Sequence, residues 1–459
     1  MYKGIIKDPA STKAGKAELA RMIKDTKLIC CVNDQIYTKD GDSIWKVQSE
    51  HQTVIFVRQL FADPKWQDIL TTSMIREILR DFKTDPDLQR PEEIFYHPEY
   101  IRCLNGIFEV KANKLLKISG ELAFNICINS NITENPGEES AEFVKYCRSV
   151  FSDTYFEQKK QVLYEIIGYA ISGIGTVKKA IFFLGPPDCG KSLILSFITM
   201  LVGEANVSNI SLNEFGSRFS IAEMSGKLIN ISAEVPTDVI SGKGLDTFKS
   251  ISAGDRIQIE RKGCQPVPAI IKTKLLFAGN VLPTFKKIDG TNSFVKRSHI
   301  LIFDKSVKED QKDRELLNKL WDERDRIVRH SLQALHEFVN RNQEFILLED
   351  ERQKLDMISA AVNPLAEFIR SRIEFGSEYF EPITTVYRAY LSFAAEEALP
   401  ELGRTIFRNM MSMQTGVKIG KSKRRKGNNK NPLTCFEGIR LKKLYDNRQD
   451  TGMYGEEVQ

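Results

Sequence analysis

The chain has 459 residues, with 66 Lys and Arg against 61 Asp and Glu and a formal net charge of +5. That length implies about two to four domains at ~100–200 residues apiece. An apolar fraction of 42% excludes a wholly disordered chain. Spread evenly, so small a charge excess would say little about partners, so its distribution along the chain matters more than its size.

The N-terminus offers only Gly4-Ile5-Ile6 as an apolar stretch, far short of a signal-peptide core. Leu193–Val202, the longest apolar-looking run, holds Ser196 and Thr199 and is too short to span a bilayer. The expectation is a soluble, cytoplasmic protein with no membrane partner. The eight cysteines form no C-x-x-C pair and the five histidines are scattered, so free thiols are expected rather than a zinc site.

Residues 1–138 mix short strands at Thr53–Val57 and Gly106–Val110 with a helix at Thr72–Phe82, and Asn135-Pro136-Gly137-Glu138 turns the chain out of that segment. Asp40-Gly41-Asp42 has the spacing of a two-carboxylate metal pair. It lacks the apolar strand such a pair sits on, and reads instead as a hairpin turn between Gln35–Tyr37 and Ser43–Val47. No polymerase or primase centre follows from it. Ala141–Ala170 is helical, with Phe143, Val144, Cys147, Val150 and Phe151 at helical spacing.

The sharpest signal comes next. Gly185-Pro186-Pro187-Asp188-Cys189-Gly190-Lys191-Ser192 is a full G-x-x-x-x-G-K-S, between a buried-strand run at Ala180–Leu184 and a helix-compatible run at Leu193–Leu201 that ends at Gly203. The glycines let backbone N–H groups curl round phosphates, and the following helix N-terminus adds its positive end. Residues 185–193, Leu193 included, are therefore the expected ATP contacts. Lys191 should reach the β/γ-phosphates, and the Ser192 hydroxyl should ligate Mg2+.

Beyond the loop, Lys227–Ile231 reads as a strand with Ser232-Ala233-Glu234 at its end. A carboxylate there can polarise the attacking water and lie within reach of the metal, so Glu234 joins Ser192 as a candidate Mg2+ contact. Lys274–Ala278 is another buried-type strand, ending in Gly279-Asn280. An Asn at that tip can hydrogen-bond the γ-phosphate or the lytic water. It would also serve as a plain turn residue before Pro283.

The order of these features, with Ile210-Ser-Leu-Asn-Glu-Phe, Arg218-Phe-Ser-Ile-Ala-Glu-Met-Ser-Gly-Lys and Lys296-Arg297 before Ser298–Phe303, resembles the superfamily-3 helicases. The likeness is to their poxvirus and satellite-phage primase–helicase branch. It is strong over about 140 to 305 and extends weakly to Leu104–Val110. It implies a sensor role for Asn280 and an arginine-finger role for Arg297, offered to the neighbouring subunit's ATP. The segment Phe248–Gly263 resembles the family's channel hairpin, which would bring Arg261 and Lys262 to the DNA backbone. One departure stands out: many members carry two adjacent acids where this chain has Ala233-Glu234, so Glu234 serves as base alone.

From Pro364 onward the character changes. Helices are expected at Ala366–Ile373, Ile383–Ala395 and Leu402–Met413, the last carrying Arg404 and Arg408. Residues 418–430 then hold seven Lys or Arg and no acid, including Lys421, Lys423, Arg424, Arg425 and Lys426, between strand-like flanks. Three helices and a basic hairpin resemble a winged-helix domain, with the third helix for a major groove and the wing for phosphates. A solvated basic loop is the plainer alternative.

The expected fold is thus α/β, a P-loop (AAA+-like) ATPase core with an N-terminal α+β accessory domain and a C-terminal winged-helix domain. Its boundaries are 1–138, 139–355 with a leading helical collar, 360–445, and a polar tail at 446–459. The expected function is an ATP- and Mg2+-dependent DNA helicase that initiates replication of a mobile element or virus. Its partners would be single- and double-stranded DNA, a replication origin, copies of itself in a hexameric ring, and a primase or other replisome protein. Two alternatives stay open: an origin-binding ATPase switch without processive unwinding, and a P-loop NTPase acting on RNA or a small molecule.

Overall fold

The computed structural model describes residues 13–39, 44–67, 70–235, 242–261, 263, 265–281, 293–362, 364–397, 399, 401–412, 414, 416–422 and 433–442. Asp40-Gly41-Asp42, Lys262 and Lys423–Lys426 lie outside them, and of Lys421 only the backbone is described. The chain divides into two compact units, residues 1–284 with 298–348, and residues 285–297 with 349–459. Together they make a mixed α/β protein with a parallel central sheet.

That sheet belongs to the first unit. Its strands are β1 (Ala180–Leu184), β2 (Val207–Ser208), β3 (Ile229–Ser232), β4 (Lys274–Gly279) and β5 (Ser298–Ile302), in the spatial order β5-β1-β4-β3-β2 and all parallel. Every residue of β1, β3 and β4 is buried, the pattern of parallel strands covered on both faces. The runs AIFFL and KLLFAG are apolar without alternation for this reason.

Helices cover the sheet. α1 (Ala141–Val150) starts where the Ser140 hydroxyl accepts the Phe143 N–H, and it buries Phe143, Tyr146, Cys147 and Val150, one stripe at 3.6-residue spacing. α2 (Phe156–Ile171) is buried almost throughout. α3 (Lys191–Val202) follows β1 and stops at Gly203, whose φ of +81° only glycine adopts freely. α4 (Arg324–Asn340) packs along α2 so closely that a Cβ on Gly168 would meet the Ser331 carbonyl oxygen at 2.2 Å.

The N-terminal part of this unit contains two antiparallel meanders, Ile29–Val32 with Gln35–Lys39 and Trp45–Gln48, and Tyr100–Cys103 with Gly106–Glu109 and Lys114–Leu116. The helix Thr72–Phe82 is found as expected. Thr53–Val57 is not a strand: it is the middle of the helix Glu50–Leu60. A capping box of Ser49 and Gln52 starts that helix, and Thr53, Val54 and Val57 bury one helical stripe. Tertiary packing outweighs the β-branched composition of that stretch.

The second unit has its own core of Leu365, Phe368, Tyr390, Phe407, Phe436 and Ile439. Helices Pro364–Arg372, Ile383–Glu396 and Arg404–Ser412 pack on an antiparallel sheet in which Leu433–Leu441 lies between Ile373–Pro382 and Lys418–Ser422. The ten-residue strand Ile373–Pro382 is an addition to the three expected helices and hairpin. It is pinned by a cross-strand ion pair, Glu374 with Arg440 at 2.9 Å. Among the described residues of the chain, no helix is long and apolar enough to cross a membrane.

Candidate functional site

The C-terminal edge of a parallel sheet is where its loops meet, among them the loop after β1. The Gly185 N–H donates to the Gly279 carbonyl at 3.2 Å, tying the loop to the tip of β4. A Cβ on Gly185 would strike the Phe303 carbonyl oxygen at 2.2 Å, so no other residue fits. Gly190 has φ +80° and passes within contact of Tyr146 and Val150 of α1, where a Cβ would come within 2.9 Å of each. Asp188 also takes the left-handed conformation, at φ +59°.

The chain leaving β5 holds this shape in place. The Phe303 N–H donates to the Leu184 carbonyl at 2.7 Å, and the Asp304 and Lys305 N–H groups converge on the Val150 carbonyl at 3.2 Å each. The Val307 N–H donates to the Asp188 carbonyl at 2.9 Å, and the Ser306 hydroxyl to the Pro187 carbonyl at 3.0 Å. Lys312 reaches the Asp188 carboxylate at 3.0 Å. Asp304 is itself fixed by the fully buried Lys159 at 2.7 Å and by Ser152 at 2.6 Å. Burial pushes its carboxyl up, but the bonds from Lys159 and Ser152 outweigh it and hold the group below the ordinary range.

Lys191 opens α3 with its side chain folded back over the loop. Its ammonium donates to the Gly185 and Pro186 carbonyls at 2.8 Å each and to Cys189 Sγ at 3.0 Å. None of these three partners is a carboxylate, so the charge is solvated by neutral dipoles and is available to an anion. Ser192 is exposed and its hydroxyl makes no hydrogen bond among the described residues. The first N–H groups of α3 point out of the helix with no intrahelical partner. Loop and helix end together form a cradle suited to phosphate.

Beside the cradle lies a cavity of about 350 Å³, bounded by Tyr146 and Val150 of α1, by residues 188–193, and by Val307, Arg314 and Leu316 of the segment after β5. Tyr146 is buried, with its hydroxyl donated to the Gly190 carbonyl at 3.0 Å, and burial raises its pKa well above the usual tyrosine value. Size and lining fit a nucleoside attached to loop-bound phosphates.

Glu234 and Asn280 leave the same sheet edge. The Val235 N–H donates to the Ala278 carbonyl at 2.7 Å, holding the residue after Glu234 against the end of β4. Asn280 follows directly on Gly279, and both Asn280 and Glu234 are exposed. β3 is two strands from β1, roughly 10 Å away at the usual interstrand spacing. Among the described residues, no group of three His, Cys, Asp or Glu is placed to hold a metal. The donor set suits a Mg2+ that keeps phosphate and water ligands and takes Ser192 as its direct protein contact.

Arg297 belongs to the second unit, where its guanidinium turns back to the Ser293 carbonyl at 3.3 Å. Arg261 is exposed beyond the antiparallel pair Arg256–Ile259 and Val267–Ile270, and Arg404 and Arg408 are exposed on their helix in the second unit. Sequence reasoning missed Tyr146 and the whole segment after β5. Tyr146 had only its place on the buried stripe of α1 to mark it, and the segment 304–316 has no periodicity at all.

Comparison with known proteins adds three findings. A family model described as a family of unknown function, DUF5906, matches residues 183–297, a stretch that holds the loop, Glu234, Asn280 and Arg297. No curated protein sequence matches the chain. Among solved structures, an apo structure of the NrS-1 C-terminal region is similar at 14% identity with a TM-score of 0.51, over 95% of this chain and 100% of that one. A further apo form of that region gives 12% and 0.50 over the same shares. The likeness at that identity is one of fold.

Proposed function

We propose that the chain is an ATP-driven DNA helicase of the superfamily-3 type, acting in replication initiation for a mobile element or virus. One observation carries the reading: the glycine-shaped loop, the N-terminus of α3, an exposed acid and an exposed amide all leave the same edge of one parallel sheet. Bound MgATP supplies the phosphoanhydride whose cleavage drives the motor.

In this reading Lys191 exchanges the Gly185 and Pro186 carbonyls for β/γ-phosphate oxygens, a stronger charge-assisted contact. Ser192 and Glu234 would hold Mg2+, which would neutralise charge on the phosphates. Glu234 also takes the proton of the attacking water, which Asn280 orients. Arg297 serves the site of the neighbouring subunit and offsets charge in the transition state. A subunit is then incomplete by itself, and a closed ring, a hexamer, is the working state.

DNA contacts follow the same division. Arg261 and Lys262, between Arg256–Ile259 and Val267–Ile270 in the sequence, grip a single strand in the ring. The second unit acts as a winged-helix reader of origin duplex, with Arg404 and Arg408 on its third helix and Lys421, Lys423, Arg424, Arg425 and Lys426 in its wing. A primase or another replisome protein is a further partner in this reading.

The test is ATP hydrolysis with and without single-stranded DNA, alongside strand displacement on a forked duplex. Expected are stimulation by DNA, ATP-dependent displacement, no hydrolysis in Lys191→Ala, and binding without turnover in Glu234→Gln. Stimulation without displacement would favour the origin-bound switch. Indifference of the rate to DNA would overturn the assignment.

A further inference from the structure

The sheet order gives β1 two unlike neighbourhoods. β4 and β3, with Asn280 and Glu234 at their tips, lie on one side of it, and β5 on the other. The chain leaving β5 crosses the loop, bonded to it through Ser306, Val307 and Lys312, and then forms one wall of the 350 Å³ cavity. Neither Glu234 nor Asn280 lines that cavity. A triphosphate lying along the loop with its terminal phosphate toward Glu234 therefore directs its nucleoside end between α1 and the crossing segment.

The polar groups of that wall are committed, with one exception. The Tyr146 hydroxyl is donated to Gly190, the Ser149 hydroxyl to the Tyr146 carbonyl at 2.7 Å, and Lys312 to Asp188 and Glu309. Asp313 accepts from Lys319 at 2.6 Å. Arg314 is exposed at the cavity and makes no hydrogen bond or ion pair among the described residues. A guanidinium has five N–H donors, no acceptor and a permanent charge, so its complement is an anionic oxygen held in a fork. At the nucleoside end of the site the anionic group is the α-phosphate.

We propose that Arg314 binds the α-phosphate of the nucleotide held by its own subunit, with Val150, Val307 and Leu316 forming the apolar wall against the base. The proposal rests on the ATPase reading above. It makes the segment after β5 a part of the binding site as well as a brace for the loop.

Calorimetric titration of the full chain with ATP, ADP and GTP in Mg2+ tests it, using Arg314→Ala, Arg314→Lys and Lys191→Ala. Arg314→Ala should weaken ATP, ADP and GTP alike by about tenfold, the worth of one charge-assisted hydrogen bond, because all three carry an α-phosphate. Arg314→Lys should recover part of that affinity as a point charge without the fork. Unchanged affinity in Arg314→Ala, with Lys191→Ala weakened, would overturn the Arg314 assignment and leave the ATPase reading standing. A loss for ATP without one for ADP would move Arg314 to the γ-phosphate, and a loss confined to one base would move it to the base. Either result overturns the proposal. Unchanged affinity in both alanine variants would overturn the nucleotide site itself.

Discussion

Tyr146 on α1 donates its hydroxyl to the carbonyl of Gly190, 3.0 Å away, so α1 is bonded to the residue that turns the loop into α3. The bond is part-buried and joins residues far apart in sequence. Tyr146→Phe keeps the ring and removes only the hydroxyl, leaving the Gly190 carbonyl with the Ile194 N–H alone, at 3.4 Å. The expected cost is about 0.5–1.5 kcal/mol. If loop shape and ligand affinity are coupled, the calorimetric affinity for ATP falls roughly 2- to 10-fold. Unaltered affinity together with a lowered melting temperature would make the bond purely structural.

Arg297 and Lys191 can be separated by mixing. Arg297→Ala subunits keep an intact loop, and Lys191→Ala subunits keep the arginine. If the finger acts in trans, each preparation alone is inactive and the mixture regains part of the hydrolysis. Full activity in homogeneous Arg297→Ala would remove the arginine from the mechanism.

Neutralising Lys423–Lys426 addresses the second unit. Duplex binding should weaken, and the slope of log affinity against log salt should flatten by about 0.9 for each phosphate the protein no longer neutralises. A slope identical to the parent protein would return the stretch to a solvated loop.

Glu165 of α2 is fully buried against Arg341, 2.6 Å away. Burial pushes its carboxyl up from 4.5 to about 7, against the pull of that guanidinium. A folded-state value above the unfolded one contributes stability below pH 4.5 that is lost as the pH rises through 7. Glu165→Gln lacks this dependence. The melting temperature of the parent protein should therefore decline relative to the variant across that window, and parallel curves would show that the carboxyl titrates normally.

Gly168 sits where α2 meets α4. Alanine there would force a methyl group onto the Ser331 carbonyl oxygen, 2.2 Å from the ideal Cβ, and into the Leu335 side chain at 2.9 Å. Helices this close separate only by disturbing the core behind them, so Gly168→Ala should cost about 1–3 kcal/mol in a denaturant titration. A neutral result would mean that the pair is looser than its geometry.

Local chemistry made the loop legible in advance. A strand of four or five apolar residues, glycines at the turns and a Lys-Ser pair need no distant partner to be understood, and α3 ends at Gly203 where its terminating glycine stands. Tyr146 matters through a contact across the fold, which no spacing encodes. Thr53–Val57 misleads because its β-branched residues outweigh a capping signal that begins four positions earlier, at Ser49. The strand Ile373–Pro382 escapes notice for a related reason: its partner, Leu433–Leu441, lies on the far side of two helices and a basic segment.

The order of strands also governs when the loop can acquire its shape. β1 is made early, but both of its neighbours, β4 and β5, arrive only after Lys274 and Ser298 have been synthesised. Until then an apolar strand with two open edges must wait, as in other parallel sheets that close late. A nascent chain ending before the Val307 and Lys312 braces holds every residue of the loop motif, yet has nothing to keep Asp188 in its left-handed turn. The braced shape of the loop is thus acquired at a late point in synthesis, long after the motif itself has left the ribosome.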